Sequence, residues 1–78
     1  MKHVKVLGSG CRNCVTTAAL IEKKAAELGV AVEVEKVTDM AAIMGYGVMS
    51  TPGVVVDGTV VHAGGVPRPD AVAAWLKG

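Results

Sequence analysis

The chain's only two cysteines stand three apart, in Cys11-Arg12-Asn13-Cys14, where a β-prone run gives way to a helical one. Upstream, His3-Val4-Lys5-Val6-Leu7 reads as a strand that stops in the tight loop Gly8-Ser9-Gly10. Downstream, Cys14, Ala18, Ile21, Ala25 and Leu28 fall at steps of four, three, four and three, the buried stripe of one helix. Thr16, Lys23 and Glu27 take its opposite face, and Gly29 supplies the stop. The pair therefore sits between a glycine loop and a helix start, which narrows both fold and chemistry.

The remaining elements follow from the same patterns. Val30, Val32 and Val34 alternate with Glu33 and Glu35, an edge strand whose charges discourage pairing with another chain. Thr38 is the expected N-cap of a short helix running to Gly45. Val54-Val55-Val56 lacks polar alternation, as in a strand covered on both faces, and Asp57-Gly58 then turns it into Thr59-Val60-Val61. Pro69 fits the first turn of a last helix that buries Val72, Trp75 and Leu76. The order is β-α-β-α-β-β-α, an α/β chain. The first crossover is helical, as parallel pairing requires, and the last two strands are antiparallel. A four-stranded mixed sheet with helices on both faces results.

Composition limits what such a chain does. Residues 1–78 leave room for one core, and 51% hydrophobic against 19% charged residues excludes a disordered segment. A net charge of +1, with the basic residues scattered, offers no footprint for nucleic acid. Ala71 to Leu76, the longest apolar run, is too short to span a bilayer, and the N-terminus lacks a signal peptide's apolar region, so a cytoplasmic monomer is expected. With no Phe, one Tyr and one Trp, Val and Ala must fill the layers.

At a helix N-terminus, about half a positive charge and several unpaired N–H groups stabilise a thiolate, and such cysteines have pKa values of roughly 3.5–7.5. Residues three apart on a helix have Cα atoms about 5 Å apart, within reach of a disulfide. Cys11 is expected to be exposed and reactive, and Cys14, which begins the buried stripe, to be shielded. That asymmetry separates an attacking thiol from a resolving one. Rival readings stay open. A structural disulfide over so short a loop adds only about 2 kcal/mol by loop entropy. Zinc needs two more ligands, and His3 and His62 are the only other soft candidates. A soft, copper-type metal held by both thiolates is the alternative function. Small metallochaperones, however, run β-α-β-β-α-β and end in a strand.

Three blocks of the chain carry a wider resemblance: Val6-Leu7-Gly8-Ser9-Gly10-Cys11-Arg12-Asn13-Cys14, Val34-Glu35-Lys36-Val37-Thr38-Asp39, and Tyr46 through Gly58 with Thr51-Pro52-Gly53 at its centre. Together they resemble the small thioredoxin/glutaredoxin-like redox-active disulfide proteins of archaea and bacteria. The resemblance implies a minimal thioredoxin fold, Cys11 as nucleophile, Cys14 as resolving thiol, and a cis Thr51–Pro52 bond. It implies protein dithiol–disulfide exchange, with a disulfide-bearing protein and a reductase as partners and no cofactor. The proline would bring its loop alongside Cys11, where the Thr51 backbone could pair with an extended substrate segment. Gly64 and Gly65 either line the same groove, as the resemblance implies, or form an ordinary turn.

The chain departs from thioredoxins proper at the site. Gly10, not Trp, precedes Cys11, and Arg12-Asn13 replaces Gly-Pro. Where those proteins bury an aspartate beneath the disulfide, counting back from Cys11 lands on Lys5. Lys5 either tunes a thiolate or extends past a thinly covered sheet face to water, and Arg12 either lowers the Cys11 pKa or stays solvated. Met40, Met44 and Met49 could serve a soft metal, but Met40 and Met44 stand one helical turn apart, so core filling is the expected role.

Overall fold

A computed structural model describes residues 2–8 and 12–77. Its elements are β1 (Lys2–Leu7), α1 (Arg12–Leu28), β2 (Val32–Val37), α2 (Met40–Gly45), β3 (Gly53–Val56), β4 (Thr59–Ala63) and α3 (Pro69–Lys77). The strands form one mixed sheet in the order β2-β1-β3-β4. β1 runs parallel to β2, across the α1 crossover, and antiparallel to β3, which pairs antiparallel with β4. This is the minimal thioredoxin fold, with β2 on the edge that its glutamates suit.

Period-two alternation assigns the faces. Val4 and Val6 of β1 join Val54 and Val56 of β3 under Ala18, Ile21 and Ala25 of α1 and Val72 and Leu76 of α3. On the other face Leu7 and Val55 meet Ile43 of α2 and Val48. Every residue of β3 is buried, which is why its valine run has no polar alternation. Each such aliphatic side chain adds about 1.5–3 kcal/mol of hydrophobic stabilisation, so valines hold what aromatic rings hold in larger domains. Asp57 (φ 49°) and Gly58 (φ 86°) both adopt positive φ, as a type I′ hairpin turn requires. Asp57 also fastens the hairpin to β1, donating its N–H to His3 O and accepting the His3 N–H at Oδ1.

Between Val54 and Val55 the β3–β4 register slips at Val61. The slip turns two consecutive residues toward α3: Val61 packs against the core and the His62 ring lies 5.8 Å from that of Trp75.

Four local expectations need correction. Asp39, not Thr38, caps α2, its Oδ1 accepting the Ala41 N–H at 3.2 Å; its carboxylate stands one residue nearer the open amides. β2 begins at Val32, because Gly29 (φ 67°) and Val30 close α1 by donating to Ala26 O and Ala25 O, a Schellman motif. Leu28 is consequently exposed as the chain turns away, and Thr17 is buried instead, its hydroxyl donating to Asn13 O at 2.7 Å. Met40 and Met44 do not fill the core; they are 58% and 70% exposed, since the six residues of α2 bury only Ile43.

Candidate functional site

Three chain segments converge on Cys14. It lies in the first turn of α1, is 5% exposed and is disulfide-bonded. Gly8, just past β1, faces it so closely that a Cβ built there would collide with Cys14 Sγ and stand 3.7 Å from Thr51 Cβ. The Gly8 N–H donates to Val37 O at 2.9 Å, so β2 holds this glycine in place. Cys11, Ser9 and Gly10 lie outside the described residues.

The third segment is the loop before β3. The Thr51–Pro52 peptide bond is cis; Pro52 is buried and Thr51 exposed. Pro52 O accepts the Gly64 N–H at 2.9 Å. Gly64 has φ 86°, and a Cβ there would sit 3.2 Å from Ser50 Cβ, so glycine serves both backbone and space. Gly65, φ 68°, is exposed beside it, and its carbonyl lies 2.9 Å from His62 Nε2. Because a carbonyl only accepts, His62 is the tautomer protonated at Nε2. Thr51, Pro52, Gly64 and Gly65 therefore form one connected rim, and Thr51 brings that rim to Cys14.

Arg12 is exposed at the start of α1, and Val15, the next residue after Cys14, is 51% exposed. Lys5 is elsewhere. It projects from the sheet face opposite α1, where its Nζ donates to Tyr46 Oη at 3.1 Å and stands 5.8 Å from the Tyr46 ring centre. A role for Lys5 against Cys14 is thus corrected by parity: Val6, one residue on, occupies the cysteine face. The Tyr46 hydroxyl, with a smaller contribution from Glu35, raises the Lys5 pKa above the ordinary 10.5. A raised folded-state pKa stabilises the fold fully below 10.5, and that contribution is lost as pH climbs through the raised value. The difference in unfolding free energy between the natural chain and Lys5→Met is therefore expected to fall between pH 9 and pH 12 in urea melts. A pH-independent difference would remove the Lys5–Tyr46 pair from the account.

Residues that the sequence reading did not single out also border the site. A hollow of about 20 Å³ lies between Val6, Gly8, Cys14, Val15, Lys36 and Thr38, room for one water molecule. Lys36 pairs with Val6 in the β1–β2 register and so shares the cysteine face. The alternation Val32, Val34, Lys36 carried that signal. Among the described residues no group of three or more His, Cys, Asp or Glu side chains could hold a metal ion. His3 lies far along β1, between Glu33 (3.9 Å) and Glu35 (3.3 Å).

Residues 2–77 match the thioredoxin domain family. A thioredoxin of Methanocaldococcus jannaschii is 35% identical over 77 residues, 99% of this chain and 88% of that protein. A thioredoxin of Methanothermobacter thermautotrophicus is 31% identical over 77 residues, 99% of this chain and all of that protein.

Proposed function

The chain belongs to the thioredoxin domain family, and from that premise we propose that it is a thiol–disulfide oxidoreductase exchanging disulfides with partner proteins through Cys11 and Cys14. The observation that carries the reading is the seating of Cys14, buried and disulfide-bonded at the start of α1 against Gly8 and the Thr51–Pro52 loop. In the reduced chain the Cys11 thiolate attacks one sulfur of a partner disulfide. A mixed disulfide forms and the other partner sulfur leaves as a thiolate, which takes a proton. The Cys14 thiolate then attacks Cys11 Sγ, the second partner thiolate departs, and the Cys11–Cys14 disulfide remains. Two electrons pass from this chain to the partner, and an external dithiol reductase restores them.

The local chemistry supports each half. The α1 N-terminus favours thiolate over thiol, and Arg12, exposed in the first turn, adds positive charge toward the partner. Exposed Thr51 offers backbone groups for an added strand, with Gly64 and Gly65 keeping the far rim free of side chains. The described residues contain no helix long and apolar enough to cross a membrane, and a thiol pair of this kind works where a reducing pool regenerates it, as in the cytoplasm.

The test pairs two measurements on the full chain. Insulin reduction with dithiothreitol as donor is expected to run at least tenfold above the uncatalysed rate, and the cysteine pair is expected to equilibrate reversibly with a dithiol buffer of known potential. Stoichiometric Cu(I) uptake without insulin reduction would overturn the proposal.

A further inference from the structure

Gly64 and Gly65 both take positive φ, 86° and 68°, where the chain leaves β4. Glycine has more backbone freedom to lose than any other residue, so a consecutive pair keeps one shape only where other groups fix it. On the site side the Gly64 N–H donates to Pro52 O at 2.9 Å. On the far side the hold comes from a side chain, with His62 Nε2 2.9 Å from Gly65 O. A doubly protonated imidazole still donates from Nε2, so this bond outlasts protonation of the ring.

The local backbone aims His62 at that carbonyl. On a regular strand Val61 and His62 would point to opposite faces of the sheet. The register slip between Val54 and Val55 turns both toward α3 instead, as a β-bulge re-aims side chains. Val61 packs against the core, and so does Trp75 of α3. The His62 ring lies 5.8 Å from the Trp75 ring, at 46° to it. A line of contacts therefore runs from α3 through Trp75, His62 and Gly65 to Gly64, and on to Pro52 beside Thr51.

Building on the dithiol-exchange reading, we propose that His62 is a positioning residue, whose hydrogen bond to Gly65 O, backed by Trp75, holds the Gly64–Gly65 rim in place for an extended partner segment running along Thr51. His62 acts through the rim and not on a sulfur. Without the bond the Gly64–Gly65 peptide is free to rotate, and the Gly64 N–H leaves Pro52 O for part of the time. A partner must then restore the rim as it binds, so the loss falls on affinity and spares the exchange between sulfurs.

The test follows reduction of a disulfide-bridged peptide by the fully reduced full-length chain in single turnovers over a range of peptide concentrations. His62→Leu keeps an apolar side chain against Trp75 and removes the donor. It is expected to raise the half-saturating peptide concentration about fivefold, the worth of one hydrogen bond, with the maximal rate unchanged. His62→Gln, whose amide N–H can donate, is expected to recover most of that loss. Amide hydrogen exchange in His62→Leu is expected to quicken about tenfold at Gly64 and to stay unchanged at Val54 and Val56, a local opening that general destabilisation does not produce. An unchanged half-saturation in His62→Leu, an equal loss in His62→Gln, or quickened exchange at all three amides would overturn the positioning role and leave dithiol exchange standing. No reduction by the natural chain would overturn both. One measurement needs no variant: nitrogen NMR of the neutral imidazole is expected to find the His62 proton on Nε2, and a proton on Nδ1 would overturn the proposal.

Discussion

With Cys14 replaced by serine, most of the chain is expected to accumulate as a covalent adduct with a disulfide-bearing partner, whereas Cys11→Ser forms none. The argument rests on access. Cys14 is 5% exposed and packed against Gly8 in the first turn of α1, which leaves a partner sulfur little access to it. On the proposed exchange reading the intermolecular bond therefore forms on Cys11, and only an intramolecular neighbour resolves it quickly. Replacing that neighbour by a hydroxyl leaves resolution to external thiols at ordinary millimolar concentration, a loss of at least about a hundredfold in turnover. A buried serine hydroxyl in this hollow costs stability of about 1–3 kcal/mol if unpaired, so Cys14→Ala serves as a second variant with the same expected adduct. Non-reducing electrophoresis and intact mass after incubation with oxidised insulin read the outcome. Adducts of equal yield from Cys11→Ser and Cys14→Ser would overturn the assignment of roles.

What was legible in the sequence follows a physical line. Elements with strong periodicity are where they were expected: the α1 stripe from Cys14 to Ala25, the doubly covered β3, the Asp57–Gly58 turn and the edge strand with Glu33 and Glu35. These depend on local propensity and on which face meets a core. The misreadings concern features decided by tertiary position. Counting back from Cys11 left Lys5 with two readings, a thiolate partner or a side chain reaching past the sheet face, and strand pairing decides between them by putting Val6 beneath α1 and Lys5 beside Tyr46. Met40 and Met44 have core-like spacing, but a six-residue helix can seat only one side chain against a sheet that Val48 already covers. Lys36 on the cysteine side was visible in principle, since it continues the parity of Val32 and Val34. The approach of the Thr51–Pro52 loop to the cysteines was expected through the resemblance alone, since spacing does not bring positions 8, 14 and 51 together, and the close packing of Gly8 on Cys14 was not foreseen.

That convergence yields the sharpest stability prediction. Gly8 reads as a loop glycine, yet its φ is not in the positive region, so an alanine there meets no backbone penalty. The obstacle is steric: the added methyl collides with Cys14 Sγ and crowds Cys14 Cβ at 3.3 Å. Neither partner yields easily. Gly8 is tied to β2 through its bond to Val37 O, and Cys14 sits in α1, whose buried face is fixed by Ala18 and Ile21. Overpacking of this kind costs about 1–3 kcal/mol, and each kcal/mol lowers the melting temperature by roughly 4–8 °C in a domain of this size. Gly8→Ala is therefore expected to melt well below the natural chain. Gly45→Ala provides the contrast: nothing lies within 4 Å of its added methyl and its φ is ordinary, so it is expected to melt at the natural temperature or slightly above. Because the first atom struck is the sulfur, the Gly8→Ala deficit is expected to shrink in excess dithiothreitol, where Cys14 Sγ is free to rotate away. A deficit equal in oxidised and reduced protein would place the crowding on the backbone rather than on the sulfur, and no deficit at all would overturn the close approach itself.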